Sequence, residues 1–158
     1  MNFKTDIFMK FDKDWALLTA GTLDDHNAMT ISWGGMGTLW HKPVVTVYVK
    51  PIRHTYNYME KNDYFTVSFY PERRRKALML MGSKSGRDCD KDKEAGLTAE
   101  TAGKSVTYKE AEITILCRKI YFNDLDTDNM PADVVRANYT AEVPHRMYIG
   151  EVIGIIEK

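Results

Sequence analysis

Two short segments of the chain carry side chains that together could bind a phosphate group. Residues 27–33 read as a strand on which two hydroxyls, those of Thr30 and Ser32, face away from the apolar side chains. Residues 50–55 follow a valine-rich run and bring two cations, an imidazole and a hydroxyl close together. Hydroxyls, backbone N–H groups and a guanidinium just before a helix are groups that bind phosphate in proteins. The two segments therefore predict a phosphorylated ligand on a β scaffold.

None of the familiar phosphate, metal or nucleophile motifs is present. Residues 34–37 depart from GxGxxG, and there is no GxxxxGK[ST]. Residues 88–92 resemble a calcium loop only in part, because the required glycine and glutamate are missing at its sixth and twelfth positions. The four histidines share no zinc spacing, so no metal site is expected. Residues 83–87 with Lys91 form a basic, hydroxyl-bearing segment that would suit an anion, although a solvated charged loop is the simpler interpretation.

Length and charge limit the classes of protein to which the chain can belong. At 158 residues it is predicted to form one domain, residues 1–158, large enough for a hydrophobic core without disulfides. Its 22 lysines and arginines balance 22 aspartates and glutamates, which removes the global electrostatic argument for binding nucleic acid. A net charge near zero gives little resistance to self-association and favours an oligomer.

Cysteine use and hydropathy predict a cytoplasmic protein. Cys89 and Cys117 lie far apart and are expected to be free thiols in a reducing compartment. The N-terminus lacks the long apolar core of a signal peptide. No apolar run approaches the ~18 residues that a membrane span needs, so no membrane partner is expected.

Hydrophobic patterning predicts a β-rich chain with two short helices. Pro51 is expected to end the valine-rich strand, because proline cannot donate a hydrogen bond to a neighbouring strand. Since helices do not separate the strands regularly, a closed or nearly closed antiparallel barrel is favoured over a doubly wound parallel sheet. The predicted strands are 15–21, 28–34, 44–49, 65–70, 112–122 and 147–157, and the predicted helices are 55–61 and 73–81.

Glycines and polar residues are predicted to mark the ends and irregularities of these elements. Thr55 is expected to be the N-cap of the first helix, and Gly82 to end the second. Gly150 and Gly154 in the last strand predict bulges or a close approach of backbones. Residues 34–37 are expected to form a flexible connection between strands, and residues 83–94 a charged loop.

Six short segments indicate a protein family more specifically together than any one of them does alone, because of their order and spacing. They are residues 27–33, 42–43, 53–55, 85–88, 90–91 and 145–152. From about residue 10 to the C-terminus, this arrangement resembles the flavin reductase-like family, and most of all its flavoredoxin branch. The resemblance implies a mainly β fold, an antiparallel split β-barrel of Greek-key type that binds FMN and carries a few short helices.

The same resemblance implies roles for individual residues. Those expected beside the flavin ring and ribityl chain are Asn27, Met29, Thr30, Ser32 and Trp33. Those expected at the phosphate are Arg53, His54 and Thr55, with Lys50 nearby, while Ser85 and Lys91 match the loop that closes over the flavin in relatives. Thr30 would supply a hydrogen-bond donor near flavin N5 and so tune hydride transfer. His145 matches a position near the nicotinamide path and is the second expected catalytic residue.

The activity implied is that of an FMN-dependent oxidoreductase. Reducing equivalents would pass from NADH or NADPH through FMN to a flavin or a protein acceptor, and the protein would be a homodimer with the flavin near the subunit interface. Such chemistry needs no strong acid or base from the protein, which is consistent with the absence of a catalytic triad. Two alternatives stay open: a non-enzymatic, flavoredoxin-type FMN electron carrier, and a split-barrel protein that binds another ligand such as haem.

Overall fold

Seven of the nine strands belong to one antiparallel sheet in the computed structural model, which describes residues 1–158. Its strand order is β2-β1-β5-β8-β9-β4-β3, and β6 and β7 form a separate hairpin. The strands are β1 (Ala16–Gly21), β2 (His26–Ile31), β3 (Gly34–Leu39), β4 (Lys42–Val49), β5 (Tyr64–Phe69), β6 (Ala99–Ala102), β7 (Ser105–Tyr108), β8 (Ile113–Asp124) and β9 (Arg146–Glu157).

Short helical segments lie between and before the strands. None of the helices is long and apolar enough to cross a membrane. The segments are α1 (Ile7–Met9, continued by a π-helical turn over Lys10–Asp14), α2 (His54–Lys61), α3 (Arg75–Ser83), α4 (Lys91–Ala95) and α5 (Ala132–Asn138), with 3₁₀ turns at Glu72–Arg74 and Thr127–Asn129.

The sheet must curl back on itself, because its two edge strands are almost continuous in sequence. Only Ser32 and Trp33 separate β2 at one edge from β3 at the other. Consecutive Cα atoms are about 3.8 Å apart, so the ends of these two strands lie within about 11 Å of each other. The sheet is nevertheless not closed by hydrogen bonds between β2 and β3. This architecture confirms the predicted mainly β, antiparallel split barrel.

Alternation of side chains along the strands divides the hydrophobic residues between two cores. On β1, Ala16, Leu18 and Ala20 enter the larger core, which fills the barrel. Leu17 points to the opposite face and packs in a second core with residues of α3, including Leu78. The second core fastens α3 to the outside of β1 and β2, which is where the candidate site is built.

The glycine-rich segment 34–37 is a regular strand, β3, and the prediction of a flexible connection was wrong. The predicted strand 28–34 is likewise interrupted, because β2 ends at Ile31 and the chain then crosses to the other edge of the sheet. A Cβ atom on Gly34 would lie 2.6 Å from Phe11 Cε1, so glycine is needed where β3 passes over that ring. The small size of Gly34 allows this close packing, which could not be predicted from the amino-acid composition of the segment.

The helix ends also differ from those predicted. Arg53 is the N-cap of α2, and Thr55 lies inside the helix with its hydroxyl turned toward β2. Gly82 lies within α3, where a Cβ would be 3.1 Å from Thr30 Cβ; it permits close packing and does not end the helix. The predicted loop 83–94 contains the start of α4, which begins after the N-cap Asp90.

The two glycines of β9 lie at irregularities in its pairing with β8, as predicted. The register shifts between Leu116 and Cys117, opposite Gly154, and again beyond Lys119, which pairs with Gly150. A Cβ on Gly150 would lie 2.5 Å from Phe65 Cζ and 2.7 Å from Cys117 Cβ. The backbone of β9 therefore approaches the barrel core closely at this position.

Candidate functional site

A pocket of about 180 Å³ between β2, α2 and the loop after α3 gathers many of the predicted ligand-binding residues. We call it the basic pocket. The predicted residues that line it are Asn27, Arg53, His54, Thr55, Ser85 and Lys91, and the others are Ile52, Ser83, Lys84, Gly86 and Arg87. Gly86 and Arg87 belong to sequence segments singled out above, but neither was predicted to bind the ligand.

The first turn of α2 is fastened to both neighbouring elements of the pocket. Thr55 is 1% exposed, and its Oγ1 accepts a hydrogen bond of 2.7 Å from Asn27 Nδ2 on β2. Arg53 Nη2 donates a hydrogen bond of 3.0 Å to the Gly82 carbonyl oxygen near the end of α3. These contacts use only part of the hydrogen-bonding capacity of the Arg53 guanidinium, which has five N–H donors.

The loop after α3 folds over the pocket and is stabilised by its own polar contacts. The Arg87 backbone N–H donates to Ser85 Oγ at 3.2 Å, and Arg87 Nη1 donates to the Ile52 carbonyl oxygen at 3.1 Å. A Cβ on Gly86 would overlap Asn27 Oδ1 and lie 3.2 Å from His54 Cδ2. Glycine at this position therefore allows the loop to close directly against β2 and α2.

Lys91 is a buried cation without an acidic partner. It is 5% exposed, and its Nζ donates hydrogen bonds of 2.7 Å to the carbonyl oxygens of Ala28 and Met81. Burial, and next the nearby charge of Arg53, lower the pKa of Lys91 to about 8. An anion in the pocket would favour the protonated form of this lysine and offset the cost of burying it.

Three cations of the pocket have no carboxylate partner. Arg53, Arg87 and Lys91 form no ion pair, whereas Lys84 pairs with Glu94. Burial, and then the charges of Arg87 and Lys91, lower the pKa of His54. The buried His54 Nδ1 has no hydrogen-bond partner. Unpaired cations, an unpartnered ring nitrogen and the cradle left by Gly86 fit a phosphate group well.

Two predicted flavin-lining residues, Ser32 and Trp33, lie in a different and larger cavity of about 960 Å³. This cavity runs between the N-terminal segment and the start of β3, and Trp33 is 55% exposed beside it. Half of its lining residues are hydrophobic, as is common in sites that accept a flat ring. Met29 lines neither cavity, because its side chain packs in the barrel core.

Thr30 lies on β2 between these two regions and is half-buried. Its hydroxyl donates to the Leu78 carbonyl oxygen of α3, so this side chain anchors the helix. Because β2 is an edge strand, one side of its backbone has no neighbouring strand and can donate to a ligand. A donor to a ligand at this point would therefore be expected from the backbone of β2 and not from the Thr30 hydroxyl, which is already engaged.

His145 and Lys50 form a cluster beside Trp33 and do not line the basic pocket. His145 is 8% exposed; its Nδ1 lies 2.7 Å from Tyr139 Oη, and its ring meets Trp33 edge-on at 5.4 Å between centroids. Burial, and next the charge of Lys50, lower the pKa of His145 and favour a neutral imidazole. Lys50 itself pairs with Glu142. No sequence pattern pointed to Tyr139.

Comparison with known proteins agrees with this architecture. The family model described as "Flavin reductase like domain" matches residues 8–158. No curated protein matches the chain. The flavoredoxin of Methanosarcina acetivorans is 18% identical over 100% of this chain and 75% of that chain, with a TM-score of 0.74.

Two further solved structures are similar at comparable identity. An FMN-binding protein from Thermus thermophilus, with bound 1-cyclohex-2-enone, is 17% identical over 99% of this chain and 77% of that chain, with a TM-score of 0.73. The NADH:FAD oxidoreductase SgcE6 of Streptomyces globisporus is 15% identical over 92% of this chain and 75% of that chain, with a TM-score of 0.68. At such identities these likenesses show the fold alone. Since the family model covers almost the whole sequence, the chain belongs to the flavin reductase-like family.

Proposed function

We propose that the protein binds FMN with its phosphate in the basic pocket and is an oxidoreductase that uses NADH or NADPH to reduce a flavin or a protein acceptor. The observation that carries this proposal is the group of three unpaired cations, Arg53, Arg87 and Lys91, around a pocket of about 180 Å³. A phosphomonoester is close to a dianion at neutral pH and would meet charge-assisted donors on several sides. Membership of the flavin reductase-like family supports a flavin-related redox function.

When bound, FMN would supply the redox chemistry itself. The residues of the chain would bind and orient it: Arg53 and Lys91 at the phosphate, and the exposed edge of β2 near Thr30 at the ring. The neutral His145 would present its free ring nitrogen beside Trp33, with Tyr139 holding the other nitrogen. The two free cysteines support our expectation that the protein works in the reducing cytoplasm.

The absorption spectrum of the purified protein and a donor assay test this proposal. Flavin absorbs near ~450 nm, whereas the Soret band dominates the spectrum of haem, so the first measurement separates FMN from the haem alternative. Oxidation of NADH and NADPH is then measured with and without added free flavin. Turnover that depends on either donor supports the oxidoreductase. A bound flavin without donor oxidation would instead favour the electron carrier, for which the similarity to flavoredoxins is the supporting observation.

Replacement of His145 by alanine is expected to slow flavin reduction by NADH or NADPH about ten-fold, or ~1.4 kcal/mol in the barrier. The physical reason is that His145 lies beside Trp33, away from the basic pocket, so it would shape the approach of the donor. Affinity for FMN and the flavin spectrum should be nearly unchanged. Stopped-flow reduction of the bound flavin measures the effect, with the exposed His41→Ala as the control. An unchanged rate would remove His145 from the site.

We also propose that the protein is a homodimer. Large apolar side chains, among them Phe8 at 87% exposure, lie along the N-terminal segment beside the cavity that contains Trp33. A twofold interface would cover the same patch on both chains. Sedimentation of the FMN-loaded protein at micromolar concentration is expected to give the mass of two chains, and a monomer would contradict this proposal.

A further inference from the structure

A second polar cluster lies behind the basic pocket and has no part in the function proposed above. It is built from His26 at the start of β2, Asp92 in α4 and Tyr108 at the end of β7. A small cavity of about 220 Å³ lies beside His26 and Asp92. Asn27, Gly86 and Lys91 line both this cavity and the basic pocket, so they form the wall between them.

The contacts of His26 define its protonation state. Its Nδ1 lies 3.1 Å from the carbonyl oxygens of both Thr22 and Leu23, and its Nε2 lies 2.7 Å from Asp92 Oδ2. Two of these oxygens belong to backbone carbonyls, which can only accept hydrogen bonds, and the third belongs to an ionised carboxylate, which likewise only accepts. Both ring nitrogens must therefore donate. His26 is therefore an imidazolium in this arrangement. The hydrogen bond that His26 donates to Asp92 is the largest cause that raises the pKa of His26, against the opposing effect of burial.

Asp92 has both of its oxygens engaged. Tyr108 Oη donates a hydrogen bond of 2.7 Å to Asp92 Oδ1, opposite the contact of Oδ2 with His26. Asp92 therefore joins α4 to β2 and to the β6–β7 hairpin. An α-helix of five residues is not stable by itself and depends on such tertiary contacts.

The residue before Asp92 is Lys91, the buried cation of the basic pocket. Burial of Lys91 opposes the placement of α4 seen here, because a desolvated ammonium with only carbonyl partners is costly. The neighbouring ion pair of His26 with Asp92, at 2.7 Å, holds this part of α4 against β2. The Asp90 cap, which accepts from the Lys93 backbone N–H at 3.1 Å, stabilises the helix but does not attach it to β2.

We propose that the imidazolium of His26, together with Asp92 and Tyr108, is a positioning clamp that holds Lys91 in the basic pocket and thereby sets the affinity for a phosphate monoester. The inference rests on the proposed function, since it concerns the same phosphate site. None of the three clamp residues lines the basic pocket. They are positioning residues, which would act through Lys91.

Asp92→Asn separates this inference from a simple electrostatic effect. Removal of a negative charge beside an anion site should strengthen anion binding by Coulomb's law. The clamp predicts the opposite, because the amide no longer forms the ion pair that keeps Lys91 in place. We expect the dissociation constant of FMN to rise roughly ten-fold and that of riboflavin, which lacks phosphate, to change less than about two-fold. Quenching of flavin fluorescence on binding to the apoprotein measures both.

A double-mutant cycle tests whether the clamp acts through Lys91. In a Lys91→Met background, Asp92→Asn should have little further effect on the ratio of FMN to riboflavin affinity. Additive losses would overturn the inference. Tyr108→Phe removes one hydrogen bond and keeps the ion pair, so it should perturb folding less than Asp92→Asn. We expect a smaller loss of FMN affinity from this variant.

The pH dependence of the same ratio provides a readout that a purely structural contact would not give. The titratable groups that face His26, apart from its partners Asp92 and Tyr108, are Asp24, Asp25, Cys89, Asp90 and Lys91. As pH rises from about 7, where the phosphate is already largely a dianion, deprotonation of His26 should weaken FMN but not riboflavin. The His26→Asn variant should lack this pH-dependent loss of FMN affinity and keep the loss that deprotonation of Lys91 causes. The exposed His41→Asn variant should retain both losses.

The outcomes distinguish the clamp from the function on which it rests. A wild-type protein that binds FMN no more tightly than riboflavin would overturn the phosphate site itself, and the clamp with it. A wild-type preference for FMN that is unchanged or stronger in Asp92→Asn would overturn the clamp alone. A selective loss for FMN that disappears in the Lys91→Met background would support both.

Discussion

Arg53→Ala is expected to raise the dissociation constant of FMN by about one to two decades and to leave that of riboflavin almost unchanged. A charge-assisted contact with phosphate is worth roughly 1.5–3 kcal/mol, which corresponds to that loss. Arg53 is half-buried at the N-cap of α2, has no carboxylate partner and donates one hydrogen bond to Gly82. Burial lowers its pKa, but an arginine remains protonated in proteins.

The comparison of the two ligands isolates the phosphate contribution from any change in the rest of the site. Titration of the apoprotein with each ligand gives the two dissociation constants. Arg73→Ala is the matched control, because Arg73 is an exposed arginine that does not line the basic pocket. Equal losses for FMN and riboflavin would show that Arg53 supports the fold of the site and does not bind the phosphate.

Gly150→Ala is expected to lower the free energy of unfolding by roughly 1–3 kcal/mol, because its methyl group has no space in the packed barrel. The new Cβ would lie 2.7 Å from Cys117 Cβ on β8, and that atom can move only with its own backbone. It would also lie 2.5 Å from Phe65 Cζ, a ring that is itself buried. For a chain of this size each kcal/mol lowers the melting temperature by about 2–4 °C.

Gly154→Ala, on the same strand, supplies the control. Its Cβ would meet only Leu116 Cβ at 3.9 Å, which is an ordinary contact. A glycine replaced without strain gains about 0.4–1 kcal/mol from the reduced entropy of the unfolded chain. The two substitutions should therefore change stability in opposite directions in urea titrations. Similar destabilisation by both would mean that the conformation of β9, and not its close approach to the core, requires glycine.

The sequence was sufficient to predict the class of fold but not the path of the chain between the two edges of the sheet. Valine-rich and alternating segments correctly indicated the central strands, because β propensity and burial agree there. Strand β3 was missed because Gly34 and its neighbours have low β propensity, and the contact with Phe11 that requires glycine is distant in sequence. The β6–β7 hairpin escaped notice for a related reason: its polar strand β7 is buried by packing against β1 and β5.

The structure brings several of the residues predicted for the site into one pocket, but contacts between residues distant in sequence gave no local signal. Arg53, His54 and Thr55 are consecutive, and the resemblance to the family linked them with Asn27, Ser85 and Lys91, which share their pocket. Lys50 is only three residues from Arg53, yet a turn separates the two and directs Lys50 toward Glu142. The pairing of His26 with Asp92 spans 66 positions, and no local pattern indicates it.

The position of β9 in the sheet has a consequence for synthesis of the protein. β9 alone joins the β3–β4 hairpin to the rest of the sheet, and it is synthesised after the other eight strands described here. About 100 residues separate β4 from β9, so at about 5–20 residues per second the valine-rich edge of β4 waits roughly 5–20 s for its partner. During that interval an apolar strand edge is exposed to other nascent chains. Chaperone supply and translation rate should therefore affect the yield of this protein.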